Sequence, residues 1–245
     1  MASEPLVGVV IPTLNGQRYL GEALESVLRQ TRRALDVAVV DDGSIDATRD
    51  VARSYAPEVR CLAYPHRGLG AARNSGVDSV RGDYVAFLDQ DDVWTERKLE
   101  LQLAPFSQRT PPDIVFGNVC EFISPELESE LAGRVRCVRE PRPAALPGTM
   151  LIKRASMNRV GPFPTRWISN DFMAWLLAAR WLGLREVMLD QHVLSRRLHL
   201  ANFSNRTGST RTEYLHVLKD SLDRRRAEAG SQPRRQRGDS VEPRT

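Results

Sequence analysis

The segment VAFLDQDDVW, residues 85–94, runs four apolar residues straight into Asp89, Asp91 and Asp92. Clustered carboxylates repel one another, and a buried charge is costly without a counter-charge. A D-x-D at the end of an apolar strand suits a hard divalent cation, which takes a few carboxylate oxygens together with phosphate oxygens and water. On an extended chain Asp89 and Asp91 face the same side. The competing reading is a solvated strand end, with Asp92 capping a following helix. Two further segments end in comparable chemistry: Pro12-Thr13-Leu14-Asn15 and Asp41-Asp42-Gly43-Ser44. In a nucleotide-binding sheet an acid at the second place bonds a base or a ribose hydroxyl, although Asp-Gly-Ser is also good turn chemistry. RGLGAARN, residues 67–74, offers two glycines for close backbone approach and Arg73 at a helix start to meet a phosphate or carboxylate. The spacing is not G-x-G-x-x-G, so the dinucleotide fingerprint is absent.

The elements that must position these residues alternate regularly. Val/Ile-rich runs at 6–12, 35–44, 58–65 and 83–92 predict strands. Between them lie helical patterns at 19–31, 45–55 with Ser44 or Asp46 as N-cap, 68–80, and 95–106 with Thr95 as cap. Continuous apolar strands separated by amphipathic helices predict a parallel sheet covered on both faces. Ligands sit at the carboxyl ends of such strands, so all three clusters land on one edge. That convergence is the functional signal. Beyond Pro105 the pattern is mixed: a strand at 113–123, a short strand within 134–140, a loop punctuated by Pro141, Pro143 and Pro147, a strand running into helix at 148–157, a helix at 170–183, and strands at 184–190 and 192–199.

Composition narrows the class. The 245 residues are 41% hydrophobic and 27% charged, as in a soluble globular chain with a sizeable core. Cys61, Cys120 and Cys137 are sparse and make no metal pattern, which predicts a reducing compartment and a cytoplasmic protein. The first residues lack the basic region of a signal peptide, and no window approaches the roughly 20 apolar residues of a membrane span. The net charge of +4 resides entirely in residues 206–245; the other residues hold 25 charges of each sign. That tail reads as solvated and disordered, with a weak peripheral contact to anionic lipid at the membrane inner face as the alternative. No aromatic residue interleaves its arginines, so nucleic-acid binding is excluded.

The strings VVIPTLNGQRYLGEALESVLRQT, VAVVDDGSIDATRDV, GLGAARNSGV and GDYVAFLDQDD resemble the family 2 glycosyltransferases across residues 6–104. The resemblance implies the α/β GT-A fold, a mostly parallel Rossmann-like sheet with helices on both faces. It divides the chain into a nucleotide-sugar-binding half (1–105), an acceptor-binding half of the same domain (106–205), and a C-terminal helix with basic tail (206–245). It also implies a nucleotide-diphospho-sugar donor such as a UDP-sugar, bound Mn2+ or Mg2+, and inversion at the anomeric carbon. Carried over by position, Pro12, Thr13 and Asn15 would line the nucleoside pocket, and Asp42 with Asp41 would bond the base. Arg73 would support the donor site, Asp89 and Gln90 would face the ribose or sugar, and Asp91 would bind the metal. GTMLIKRASMNRVGPFP resembles the family's acceptor side. The family then carries Glu-Asp, the Asp serving as base; here Asn170 departs and Asp171 matches. A helix-start acid favoured by the dipole is the alternative for Asp171. LSRRLHLANFS resembles the closing segment, where His199 would join the metal or the diphosphate and Arg197 would meet the diphosphate; a structural histidine is the alternative. Trp167 and Trp175 are candidates for stacking on a sugar or for core packing. Two rivals remain. A D-x-D phosphatase would carry the motif on its first strand, followed by Thr or Ser, whereas here Val93 follows on the fourth. A catalytically inactive nucleotide-sugar-binding module is suggested only by Asn170. The acceptor stays open among glycan, lipid-linked sugar, small molecule and peptide.

Overall fold

The computed structural model describes residues 5–32, 35–131, 136–167, 170–199 and 213–223. The first half alternates as β1 (Val7–Thr13), α1 (Leu20–Leu28), β2 (Leu35–Asp41), α2 (Thr48–Arg53), β3 (Val59–Ala63), α3 (Leu69–Ser79) and β4 (Tyr84–Phe87). The strands lie parallel in the order β3-β2-β1-β4, with Val7 opposite both Leu35 and Tyr84. Because side chains alternate along a strand, β1 feeds two cores. Val7, Val9 and Ile11 pack with Leu20, Leu24 and Val27 of α1, while Val10 packs on the other face with Ala72 of α3 and Phe87. The strand order reverses at β1, and in such sheets the crevice at that switch point is where ligands bind.

The second half adds β5 (Val93–Trp94), α4 (Lys98–Leu103), β6 (Ile114–Ile123), α5 (Glu128–Leu131), β7 (Arg142–Ala144), β8 (Leu151–Lys153), α6 (Arg154–Val160), α7 (Asp171–Trp181) and β9 (Glu186–Leu198). Among the described residues the sheet continues β4-β8-β6-β9-β5, with β7 on the edge of β6. β8 pairs antiparallel to β4 and β6, and β9 runs parallel to β6. β5 pairs antiparallel with β9, Val93 opposite Ser195, which carries the end of β9 to the acidic segment. Leu99 and Leu103 of α4 join the α1 face, and Met157 of α6 with Phe172, Trp175, Leu176 and Ala179 of α7 join the α3 face. Residues 213–223 form a helix that buries Val217.

Several local expectations are corrected. β4 stops at Phe87; Leu88 makes the last rung to the Val10 carbonyl, and Asp89–Asp92 close a turn in which the Asp92 N–H donates to the Asp89 carbonyl. The D-x-D is therefore displayed by a turn and not by an extended strand. Thr95 does not cap α4 through its side chain, because its hydroxyl donates to the His192 carbonyl on β9. Residues 136–140 form no strand, although the Val138 carbonyl accepts from the Glu121 N–H. The two strands expected at 184–199 are one, with irregular register around Asn118 of β6 absorbing the break. The proline-punctuated loop contributes β7, where Pro143 takes the edge position that suits a residue with no N–H. Of the C-terminal tail, 206–212 and 224–245 lie outside the described residues.

Gly76 sets how closely α3 approaches β1: a Cβ there would lie 2.2 Å from Cγ1 of Val10. Gly76→Ala should therefore force the helix off the sheet and lower the unfolding free energy by about 1–3 kcal/mol, read from the urea denaturation midpoint. An unchanged midpoint would show that α3 has room to lift.

Candidate active site

The loops leaving β1, β2 and β4 brace one another. Gln90 clips the first: its Oε1 accepts from the Leu14 N–H at 2.8 Å and from the Thr13 hydroxyl, and its Nε2 donates to the Leu14 carbonyl at 3.1 Å. Asn15 ties the first loop to the second. With φ of 52°, its N–H donates to Ser44 Oγ and its Oδ1 accepts from the Ile45 N–H. The two acids at the end of β2 diverge. Asp41 is buried, accepts from the Ser44 N–H at 3.1 Å and pairs with Arg49 at 3.0 Å. Asp42 turns the other way and gathers the loop before α3: its oxygens accept from the Arg67 and Gly68 N–H groups, each at 2.8 Å, and meet His66 Nδ1 at 2.8 Å.

These loops line one cleft of about 950 Å³. Of the residues singled out in the sequence, Pro12, Thr13, Asn15, Asp42, Asp89, Gln90, Asp91 and His199 line it, as does Trp167; Asp41, Arg73 and Asp171 do not. Arg18, Tyr19, His66, Arg67 and Arg196 line it as well and carried no sequence signal of their own. His66 and Arg67 could have been reached as neighbours of the glycine-rich segment. Arg18, Tyr19 and Arg196 depend on how loops far apart in sequence fold together.

Each acid of the turn meets a different partner. Arg73, 3% exposed, donates to Asp89 Oδ1 at 3.3 Å and to Asp171 Oδ2 at 2.6 Å. Asp171, the first residue of α7, is 1% exposed. Gly70 makes room beside it, since a Cβ there would lie 3.0 Å from the Pro164 carbonyl oxygen and 3.5 Å from Asp171 Cβ. Asp91 Oδ2 lies 2.9 Å from His199 Nε2, and the His199 ring packs on Tyr19. Asp92 Oδ1 accepts from the Arg197 N–H at 2.9 Å. Burial pushes the Asp89 pKa up, against the pull of Arg73 and with Asp91 and Asp171 adding to it; because 40% of the Asp89 side chain is open to the cleft, solvent moderates that rise. Burial, then Asp91 and Asp89, push Asp92 well above the usual carboxylate range. Glu126 goes the other way, down to about 2, because its own N–H and the Ser124 and Tyr19 hydroxyls all bond its carboxylate.

Arg197 does not face the cleft. Its guanidinium, 2% exposed, donates to Glu22, Ser124 and the Asp91 carbonyl, sandwiched between the Tyr19 and Phe122 rings. Alternation along β9 presents Arg196 to the cleft instead. Trp175 belongs to the core, packed on Phe163 and Phe172 and donating to the Gly161 carbonyl. Asn170 donates to Glu213 at 2.8 Å and so ties the start of α7 to the helix 213–223.

Among the described residues no group of three or more His, Cys, Asp or Glu side chains is placed to hold a metal. What converges is a pair, the Asp91 carboxylate and the His199 imidazole. That donor set fits a divalent ion which takes few protein ligands and completes its shell with water and phosphate oxygens. Nor, among the described residues, is any helix long and apolar enough to cross a membrane.

Fold and cleft together define the class, the glycosyltransferases of GT-A fold. S. aureus TarS (residues 1–349), in its complex with UDP-GlcNAc, superposes with a TM-score of 0.71 at 20% identity, over 88% of this chain and 65% of that one. The chain belongs to glycosyl transferase family 2, whose family model matches residues 8–166, well over half its length. It is 27% identical to an uncharacterized glycosyltransferase of Rickettsia prowazekii over 86% of this chain and 69% of that protein. It is also 41% identical to an uncharacterized glycosyltransferase of Nostoc sp. over 38% of this chain and 30% of that one. The chain thus spans 60–65% of the S. aureus TarS 1–349 chains it resembles.

The Arg73–Asp171 pair is fully desolvated, so removing one partner strands the other. Arg73→Met should lower the unfolding free energy by about 3–5 kcal/mol, measured by urea denaturation at pH 7. A loss below about 1 kcal/mol would mean that water reaches Asp171.

Proposed function

We propose that this chain moves a sugar from a nucleotide-diphospho-sugar, a UDP-sugar, to an acceptor hydroxyl in one inverting displacement that depends on Mn2+ or Mg2+. The observation that carries the reading is the meeting of the β1, β2 and β4 loops around one cleft in which Asp91 and His199 lie 2.9 Å apart. The crystal structures of S. aureus TarS with UDP and with UDP-GlcNAc support a uridine donor. The three unpaired thiols support a reducing, cytoplasmic setting.

The nucleoside would sit between Pro12–Asn15 and the 66–68 loop that Asp42 holds. In this reading Asp42 reads the base through the backbone it organises, since its oxygens are already engaged by that loop. Asp91 and His199 would hold the divalent ion, which when bound supplies positive charge against the departing diphosphate. Arg196, on the same wall, adds a fixed cation for the phosphates. Asp171 takes the proton of the acceptor hydroxyl, which attacks from the face opposite the leaving group. Arg73 fixes that base relative to the donor, because one guanidinium grips both Asp171 and Asp89. Asp171 is buried with Gly70 beside it, so proton transfer requires that acceptor binding uncover it.

The test pairs two variants. Wild type should bind UDP more tightly with MnCl2 present, by calorimetry, and Asp91→Ala should lose that dependence and at least tenfold in affinity. Asp171→Asn should keep UDP affinity within about twofold while UDP release from a UDP-sugar falls by about 10²–10⁴. Full turnover in Asp171→Asn would move the base elsewhere, and no heat from UDP with manganese in wild type would end the donor assignment.

A further inference from the structure

A second cavity of about 290 Å³ opens beside the cleft, between α7 and the helix 213–223. Its floor is one stripe of α7, Ala174, Ala178 and Trp181 over the buried Trp175, where two alanines a turn apart leave the hollow and the Trp181 and Trp167 indoles wall it. Trp167 borders both this cavity and the cleft, so the two are neighbours across one side chain. The same α7 begins at Asp171, so the lining from Ala174 to Trp181 lies roughly 5–15 Å along the helix from the proposed base. The rim is polar. Arg166 pairs with Asp220 at 2.7 Å, both about half exposed, and Ser221 lies beside them; the Arg166 guanidinium also lies over the Trp167 ring at 4.9 Å.

From this geometry we infer that the groove between α7 and the helix 213–223 is an acceptor subsite for a saccharide ring, holding a unit of the acceptor that does not itself react. The inference rests on the transfer reading of the cleft and names its acceptor class. A sugar ring presents apolar C–H faces and hydroxyl edges; the Trp167 and Trp181 indoles match the first and the Arg166, Asp220 and Ser221 groups the second. An acyl chain would match the indoles but leave the ion pair stranded along its length, and the hollow is short, at the small end of ligand pockets. A segment of the chain is not needed to fill it, because the helix 213–223 already forms its wall and buries Val217 there. Asn170 contributes by anchoring that helix through Glu213, so the position where the family carries Glu serves here to build the groove.

Saturation-transfer NMR with methyl hexosides and disaccharides, and octanoate as the apolar control, tests the assignment on the full chain. At least one saccharide should bind wild type saturably, and Ala178→Phe, which fills the hollow, and Trp181→Ala, which removes a wall, should each weaken it at least tenfold. UDP affinity with Mn2+ should stay within twofold in both. Should one variant lose UDP binding through misfolding, the other decides. Intact UDP binding with no saccharide bound, octanoate bound in preference, or saccharide affinity kept in the variants would overturn the subsite alone, whereas loss of UDP binding in wild type would strike the transfer reading itself.

Discussion

Arg73 is the charge on which both halves of this molecule turn. Burial alone would favour the loss of its proton, but Asp171 and Asp89 outweigh that and hold it more firmly charged. The two acids come from opposite halves, one from the turn after β4 and one from the start of α7, and only a long planar guanidinium can reach both in fixed geometry. The glycines on either side of it follow from the same demand. Gly70 lets the first turn of α3 lie against the Pro164 carbonyl and Asp171, and Gly76 lets the rest of the helix seat on Val10. Removing the positive charge would leave two carboxylates facing a third and fourth in the same turn, an arrangement that low dielectric makes costly.

Arg197 does for the other rim what Arg73 does for the floor. Its backbone holds Asp92 and its side chain holds the Asp91 carbonyl, so the acidic turn is gripped from behind. Because β5 is zipped to β9 directly after the turn, the segment carrying Arg196 and His199 cannot drift from Asp91. The turn's three acids thus meet three partners from two regions of the chain: Arg73 of α3, and the Arg197 N–H and His199 imidazole at and just past the end of β9. Such a turn is stable when assembled and remains open toward the cleft on one side.

The first half of the fold was legible because its signals are local. Strand runs that alternate with amphipathic helices leave few topologies, and strand ends then predict which residues share an edge; Thr13, Asp42 and Asp91 do line one cleft. What escaped the sequence depends on partners distant in the chain. Asp41 and Asp42 are adjacent and alike, and only Arg49 on one side and the 66–68 backbone on the other decide which faces the cleft. Arg196 and Arg197 pose the same problem, resolved by the sandwich of Tyr19 and Phe122. The end of β4 is invisible in the sequence because apolar periodicity does not register where hydrogen-bond partners run out, and Leu88 is still buried although the strand has ended.

Asn170 illustrates how a departure from a motif acquires meaning only in three dimensions. Read alone, the loss of a carboxylate beside Asp171 suggests a weakened centre. In the structure an amide at this position donates to Glu213, a bond that a carboxylate could not supply to another carboxylate. A glutamate here would repel Glu213 and loosen the helix 213–223 from α7, and with it the Arg166–Asp220 pair that rims the second groove. The asparagine therefore fits a chain whose helix 213–223 is tied to the start of α7. The charge given up at Asn170 is consistent with Asp171 having its counter-charge from Arg73 and needing no second acid beside it.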